Sequence, residues 1–485
     1  MSESAPKSAA KAKRKRHIVA PEDRIPIKEK AAFGAGGVAR GIQETADNML
    51  MNPVFVLGVG IDPRVMSICG VIYRIFDGIT DPFMGVISDN TRSKWGRRKP
   101  YIVLGAILMA ISMPLVFSFG QTWSTTAITA WMIGAFLFIY LGQTIFNIPY
   151  QAMLLESSPD SHERTNLAAF SAYFGFFVSL VMGWSWYFAQ KLSVDTDPIP
   201  IVTGAFWVIC GFSLLVLALG FLPAIFMKER FYAKVANQKK MGIIQNFKLT
   251  FRSKPFLILI TFVFTFFVGF NVKWGLVFFV RYYYVCGGDE ALASKLSGME
   301  SSLQAIASIC GIAFFTWLSH RIGKLMTLKI TAFCLFFVGI AMYWLYTPAY
   351  PYLSILPGIF FGPAMSALWV MIPSMTGDIV DDDELRNGER REGAFASIFS
   401  WMTKVSLSVA GGLSGFVVSW SGYRSEIRHD LPADVVETMR ITLVAVPSSI
   451  ILIALIVLFF YPITEKTIDE NRAKLEAKRG KVKAD

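Results

Sequence analysis

Along this chain, long apolar runs alternate with short polar breaks, and few of the runs show a wet face. That is the pattern of helices that cross a bilayer, each needing about 20 apolar residues. The runs predict spans near residues 33–58, 65–89, 100–120, 125–155, 165–190, 200–227, 256–280, 296–319, 325–346, 353–376, 393–420 and 440–462. Twelve spans put both termini on one side, and most of the 47 Lys and Arg residues sit in the N-tail, the even-numbered loops and the C-tail. Cytoplasmic loops carry the excess of basic residues, so both termini are expected in the cytoplasm. The expected fold is all-α: a polytopic protein of the cell (inner) membrane with 12 transmembrane helices.

Composition agrees with that pattern. Of 485 residues 54 % are apolar and only 17 % charged, with 41 Phe, against about a quarter charged in a soluble chain. One large soluble enzyme is excluded, because such a composition cannot cover a water-facing surface. Twelve spans would use roughly 240 positions, which this apolar content supplies. Four of the five cysteines lie inside apolar runs and none forms a CxxC, so neither a disulfide framework nor a zinc site is indicated. The net charge of +12 comes from loops and tails, not from a nucleic-acid patch.

Polar stretches divide the chain into an expected basic, disordered tail (1–30), a first six-helix bundle (31–227), a central cytoplasmic loop (228–254), a second bundle (255–462) and a charged C-tail (463–485). The basic run in the tail would be drawn to acidic lipid of the inner leaflet. It is followed by no apolar signal-peptide core. The two halves echo each other. Trp95-Gly96-Arg97-Arg98-Lys99 follows span 2 and His320-Arg321-Ile322-Gly323-Lys324 follows span 8, with the glycines 227 residues apart. Short basic Gly-containing loops at matching places suit a 6+6 transporter.

Ionisable groups inside spans are expensive and therefore informative. Span 1 carries Arg40, Gln43, Glu44, Asp47 and Asn48 on one helical face, read here as a cavity wall with Arg40 and Glu44 paired at i,i+4. Span 2 carries Arg74, Asp77, Thr80 and Asp81. Two carboxylates one turn apart cannot both stay ionised without a cation between them, so a proton or a hard metal ion is expected there, with the Thr80 hydroxyl as a further oxygen ligand. Span 4 presents Gln143, Thr144, Asn147 and Gln151 on one face; span 7 carries Lys273 and span 11 Lys404. The run Asp381-Asp382-Asp383-Glu384 is expected in a cytoplasmic loop, either as a gate charge-paired with Arg386, Arg390 and Arg391 just beyond it or as a solvated loop. No P-loop, HExxH or usable GxSxG is present, so neither ATP-driven transport nor an enzyme is expected, and no cofactor beyond the coupling ion.

The stretch Tyr73-Arg74-Ile75-Phe76-Asp77-Gly78-Ile79-Thr80-Asp81-Pro82, followed by Trp95-Gly96-Arg97-Arg98-Lys99-Pro100, resembles the signature of the glycoside–pentoside–hexuronide:cation symporters, a branch of the major facilitator superfamily. Gly377-Asp378-Ile379-Val380-Asp381 and Thr144 with Asn147-Ile148-Pro149 are similar to further family motifs, and the likeness extends over nearly all of 33–462. The resemblance implies two six-helix bundles, alternating access, and cation and sugar sharing a central cavity. It implies a cation site at Asp77, Thr80, Asp81 and Thr144. On the sugar side the sequence departs from the melibiose-carrying pattern, with Arg40-Gly41, Asn147 and Gln151 where that pattern has acids and Trp, so melibiose is not the expected cargo. The substrate-side candidates are Arg40, Glu44, Asp47, Asn147, Gln151, Lys273, Ser400 and Lys404. Gating falls to Asp89, Arg92, Arg97, Arg98, Asp378, Asp381 and Arg391.

The expected function is thus symport of Na⁺ or H⁺ with a sugar or glycoside. A solute receptor or a facilitator without coupling is the alternative. Arg40 and Lys404 favour an acidic substrate such as a uronate, unless Glu44 and Asp47 neutralise them and leave a site for neutral hydroxyls. The expected partners are the substrate, the cation and membrane lipid, with no nucleic acid and no obligate protein partner.

Overall fold

The computed structural model describes residues 24–157, 180–228, 250–387, 392–427 and 431–464, with single positions in 167–178 and 467–475. The expected tail, the central loop, most of the fifth span, Arg390 and Arg391 lie outside the described residues, as do the side chains of Asp47 and Asp89. In chain order the helices are α1 (Ile27–Met51, continuing through a wider turn, Asn52–Val59), α2 (Pro63–Asn90), α3 (Lys99–Leu115), α4 (Thr125–Glu156), α5 (Ser185–Lys191) and α6 (Pro200–Phe226). There follow α7 (Lys254–Phe279, continuing through Val280–Val285), α8 (Glu290–Ile322), α9 (Lys324–Leu345), α10 (Leu356–Asn387), α11 (Glu392–Trp420) and α12 (Ala433–Phe459).

Local chemistry sets the ends. Asp62 accepts from the Arg64 amide at 2.7 Å and Pro63 occupies the first turn, which starts α2 sharply. Asp289 caps α8 in the same way through the Leu292 amide at 2.9 Å. Gly323, at φ 86°, turns α8 into α9 with no intervening loop, a conformation that a side chain would strain. Among the described residues, eight helices are long and apolar enough to span a membrane. α1 and α2 fall outside that set because of their polar faces, which is where the site is built.

Packing gathers α1–α6 into one set, through α3 with α4 and α6, α1 with α6, and α2 with α4. It gathers α7–α12 into a second, through α8 with α10, α7 with α11 and α12, and α9 with α12. Among the described residues, the main contacts between the sets are α2 with α11 and α5 with α8. They are tight at the end away from the chain termini. There the Trp184 indole donates to Ser302 at 2.9 Å, Trp186 donates to Glu290 at 3.3 Å, and Ser294 donates to Gln190. At the same end a Cβ on Gly415 of α11 would collide with Ser67 and the Pro63 carbonyl of α2. Small residues let membrane helices approach this closely.

Gly415→Val cannot fit without separating the helices, so the variant is expected to open this end. Labelling of a Ser67→Cys reporter by a membrane-impermeant thiol reagent should rise at least fivefold in the Gly415→Val background. Unchanged labelling would show that the contact does not close the path.

Candidate cation and substrate site

α2 places Asp77 and Asp81 one turn apart, as their spacing requires, and α4 brings Thr144 across to them. The Thr144 hydroxyl lies 3.3 Å from Asp77 Oδ1 and 3.2 Å from Asp81 Oδ1, so its single proton serves one carboxylate at a time. The Thr80 hydroxyl stands 3.1 Å from that of Thr144 and donates back to the Phe76 carbonyl at 3.0 Å. All four cation-site candidates are therefore brought together. A fifth group joins them. The Lys404 ammonium reaches over from α11, 2.9 Å from Asp77 Oδ2, and also pairs with Asp81 Oδ2. The expected positive charge between the carboxylates is thus supplied by the protein's own side chain. Two carboxylates share this one ammonium, and the Arg74 guanidinium of α2 adds a more distant positive charge near Asp77.

That geometry relocates Lys404. Assigned from its sequence to the substrate side, it stands among the cation-site oxygens instead. Asp77 takes its ion pair from Lys404 and not from its neighbour Arg74, whose guanidinium lies 5.7 Å over the Tyr140 ring.

The other substrate candidates divide. Arg40 Nε lies 3.7 Å from Glu44 Oε1, the i,i+4 contact expected, and Glu44 also accepts from Gln143 at 3.2 Å. Gln151 donates to Asn147 at 3.0 Å, so these two amides hold each other on α4. Ser400 is exposed, one turn ahead of Lys404. Lys273 is fully buried and turned toward Glu300 of α8, with Nζ 3.9 Å from Oε1 and the rings of Trp274 and Phe361 at 4.2 and 4.0 Å. It neither snorkels nor lines the cavity.

That cavity, of about 560 Å³, lies between α1 and α2 on one side and α7, α8 and α11 on the other. Glu44 and Arg74 face Asn271, Trp274, Arg281 and Ser297 across it. Arg74 is three residues from Asp77, so the cavity begins about one helical turn from the carboxylates.

Among the gating candidates, Arg98 is buried and donates to Ser88 at 2.6 Å, and Asp378 pairs with Lys324 at 2.7 Å. Arg97 and Asp381 lie in the same region at the terminal end of the bundle, Arg97 buried and Asp381 half-buried, whereas Arg92 is exposed. The acidic run is not a loop. Asp381 to Glu384 continue α10, with Asp382 and Asp383 buried and Asp382 held by Arg386 at 2.9 Å and Asn471 at 3.1 Å. The pair with Arg386 is the expected one; the helical setting and the Asn471 contact are not.

Glu300, Arg281 and Lys324 are not among the site residues expected from the sequence. Glu300 was legible, since it is a carboxylate inside a predicted apolar span. Arg281 looked like a loop residue because the wider turn that extends α7 leaves no periodic mark. Lys324 stood in the motif that repeats the basic loop of the first half, but its partner Asp378 is 54 positions away.

Two helix sets around a shared cavity, with a lysine of one set ion-paired to two carboxylates of the other, define a membrane transporter of the major facilitator fold. The chain belongs to the family described as MFS/sugar transport protein, matched over residues 32–465. It is 24 % identical over 438 residues to an isoprimeverose transporter of Lactiplantibacillus pentosus, covering 88 % of this chain and 86 % of that one. It is 23 % identical over 459 residues to a glucuronide carrier protein homolog of Escherichia coli (strain K12), covering 92 % and 95 %. A sodium-dependent lysophosphatidylcholine symporter of Danio rerio is 22 % identical, covering 93 % and 88 %. Among solved structures, a D-xylose–proton symporter superposes with a TM-score of 0.65 at 14 % identity, over 91 % of this chain and 99 % of that one. At that identity the likeness speaks for the fold alone.

Proposed function

We propose that this protein is a symporter that couples entry of Na⁺ or H⁺ to uptake of a sugar or glycoside by alternating access. The observation that carries the reading is the Lys404 ammonium held by Asp77 and Asp81 across the interface of the two helix sets. Two carboxylates share one ion-paired ammonium, so an arriving cation has carboxylate oxygens to meet. An arriving Na⁺ would find oxygens from both carboxylates and from Thr80 and Thr144, a donor set suited to a hard cation. A proton on one carboxylate would serve as well. Either one weakens the hold on Lys404.

Coupling follows from this exchange. With Lys404 on α2, the empty carrier has its charges balanced as far as one ammonium allows and can reorient. With a cation in place, Lys404 is released toward the cavity, where a polar substrate can occupy it. Cation and substrate thereby favour the same state, which is the requirement for one to raise the affinity of the other. The relatives support both parts of the reading, since they include sugar carriers and a sodium-dependent symporter.

The basic loops and tails favour cytoplasmic termini in the cell membrane, and transport without chemical change of the solute fits the absence of a catalytic motif in the sequence. The test is uptake of a labelled glycoside into proteoliposomes under an inward Na⁺ or H⁺ gradient. Accumulation above the external concentration that collapses with the gradient is the expected result. Equilibration that ignores both gradients would leave a facilitator.

A further inference from the structure

The short helix α5 has two working faces. One closes on α8 through Trp184, Trp186 and Gln190. The other rests on α6. At Gly204 these two helices touch backbone to backbone, since a Cβ there would collide with the Ala189 carbonyl. Two helical turns further along α6, at Gly211, a Cβ would meet nothing within 4 Å. The helices have parted, and an open groove of about 410 Å³ runs along the gap. Phe188 and Leu192 stand on its α5 side and Trp207 and Leu215 on its α6 side, with Val208 and Phe212 buried beneath.

Two observations say what fills this groove. Its rim is apolar yet open, with Trp207 59 % exposed, Leu192 50 % and Leu215 47 %. On a chain that crosses a bilayer such a surface meets acyl chains, and an apolar channel left empty there would forfeit dispersion contacts. The second observation is a charge. Lys191, in the last turn of α5, lays its stem along the groove. Its ammonium stands 5.7 Å over the Tyr187 ring and, among the described residues, in no ion pair. The polar stretch Ser193 to Asp197 follows at once, which places this ammonium where the chain leaves the apolar layer. Phospholipid phosphates lie at that depth. An amine at the mouth of an apolar groove matches both ends of one lipid.

We propose that the α5–α6 groove is a phospholipid site, with one acyl chain lying along Gly211 and an anionic headgroup on Lys191. The headgroup is of the phosphatidylglycerol kind, because a zwitterionic one brings its own cation to the phosphate and gains little from a lysine. Gly211 gives the groove its depth, since a side chain there would take the place of the acyl chain. The site lies on the bilayer side of α5, behind the face that meets α8, and holds neither the cation nor the cargo.

The inference needs the chain to lie in a bilayer and does not need coupled transport, so it is tested without any gradient. The full chain is reconstituted in phosphatidylcholine containing a small fraction of acyl-brominated phosphatidylglycerol or, separately, acyl-brominated phosphatidylcholine. Bromine quenches tryptophan on contact, and the share of Trp207 is the difference from a Trp207→Phe variant. Phosphatidylglycerol is expected to quench Trp207 with an apparent affinity about fivefold above that of phosphatidylcholine, the preference one lysine near a membrane surface confers. Lys191→Gln should bring the two lipids level and leave quenching by phosphatidylcholine unchanged, which also shows that the variant is folded. Lys191→Arg should keep the preference, and Gly211→Leu should weaken quenching by phosphatidylglycerol. Equal quenching by both lipids in the unaltered protein would mark an ordinary lipid boundary and overturn the proposal. So would a preference that survives Lys191→Gln, or a Trp207 that neither lipid quenches, as expected if a second copy of the chain covered this face.

Discussion

Asp77→Asn and Asp81→Asn are each expected to abolish gradient-driven accumulation, reducing uptake to equilibration, and to weaken cation binding by about two to three orders of magnitude. In each variant the remaining carboxylate has Lys404 to itself, so no shared carboxylate is left to hold a cation. Removing one member of a buried, hydrogen-bonded charge cluster costs about 2–5 kcal/mol, and 1.4 kcal/mol is tenfold. Lys404→Ala separates this account from a purely structural one, because it moves affinity the other way. It leaves two unpaired carboxylates, and cation affinity should rise at least tenfold while coupled uptake falls. Cation titrations of the three purified variants, set beside proteoliposome uptake, check the pattern. If Lys404→Ala lowered cation affinity as the Asn variants do, Lys404 would not be the group the cation replaces.

The largest expected effect on stability is at Glu300. Glu300→Gln would leave the Lys273 and Arg281 charges buried side by side with no counterion, and uncompensated buried charge of this kind costs about 3–5 kcal/mol. The variant should therefore unfold at a clearly lower temperature in detergent, with its yield of monodisperse protein reduced. Lys273→Met alone should be close to neutral, since an apolar side chain in place of one half-satisfied cation is well tolerated among Trp274 and Phe361. The double variant should recover much of what Glu300→Gln loses, because the cluster returns to its original net charge. Strict additivity of the two changes would show that Lys273 and Glu300 do not interact through charge.

How these residues could be read from the chain depends on whether their partners share a helix. Asp77, Thr80 and Asp81 stack because the helix repeats every 3.6 residues, and Arg40 meets Glu44 for the same reason. The spans themselves follow from runs of apolar residues long enough for a bilayer, and their observed bounds lie within a few residues of expectation along most of the chain. Periodicity says which residues share a face. It does not say what that face meets.

Lys404 illustrates the gap. Its depth in span 11 marked it as functional, yet its partners are 327 and 323 positions away and belong to the other helix set. Only the packing of α2 on α11 brings them together. Lys273 shows the same limit through rotation, for the turn of α7 aims it at Glu300 rather than into the cavity. The acidic run at Asp381 has the composition of a loop, yet it continues α10, and Asn471 of the C-terminal segment adds a second partner to the expected Arg386 pair of Asp382. The sequence by itself determined the spans, the shared faces and the carboxylate pair, all consequences of local period and hydropathy. The tertiary structure decided which charge answers which, because Coulomb and hydrogen-bond partners are chosen by distance in space and not along the chain.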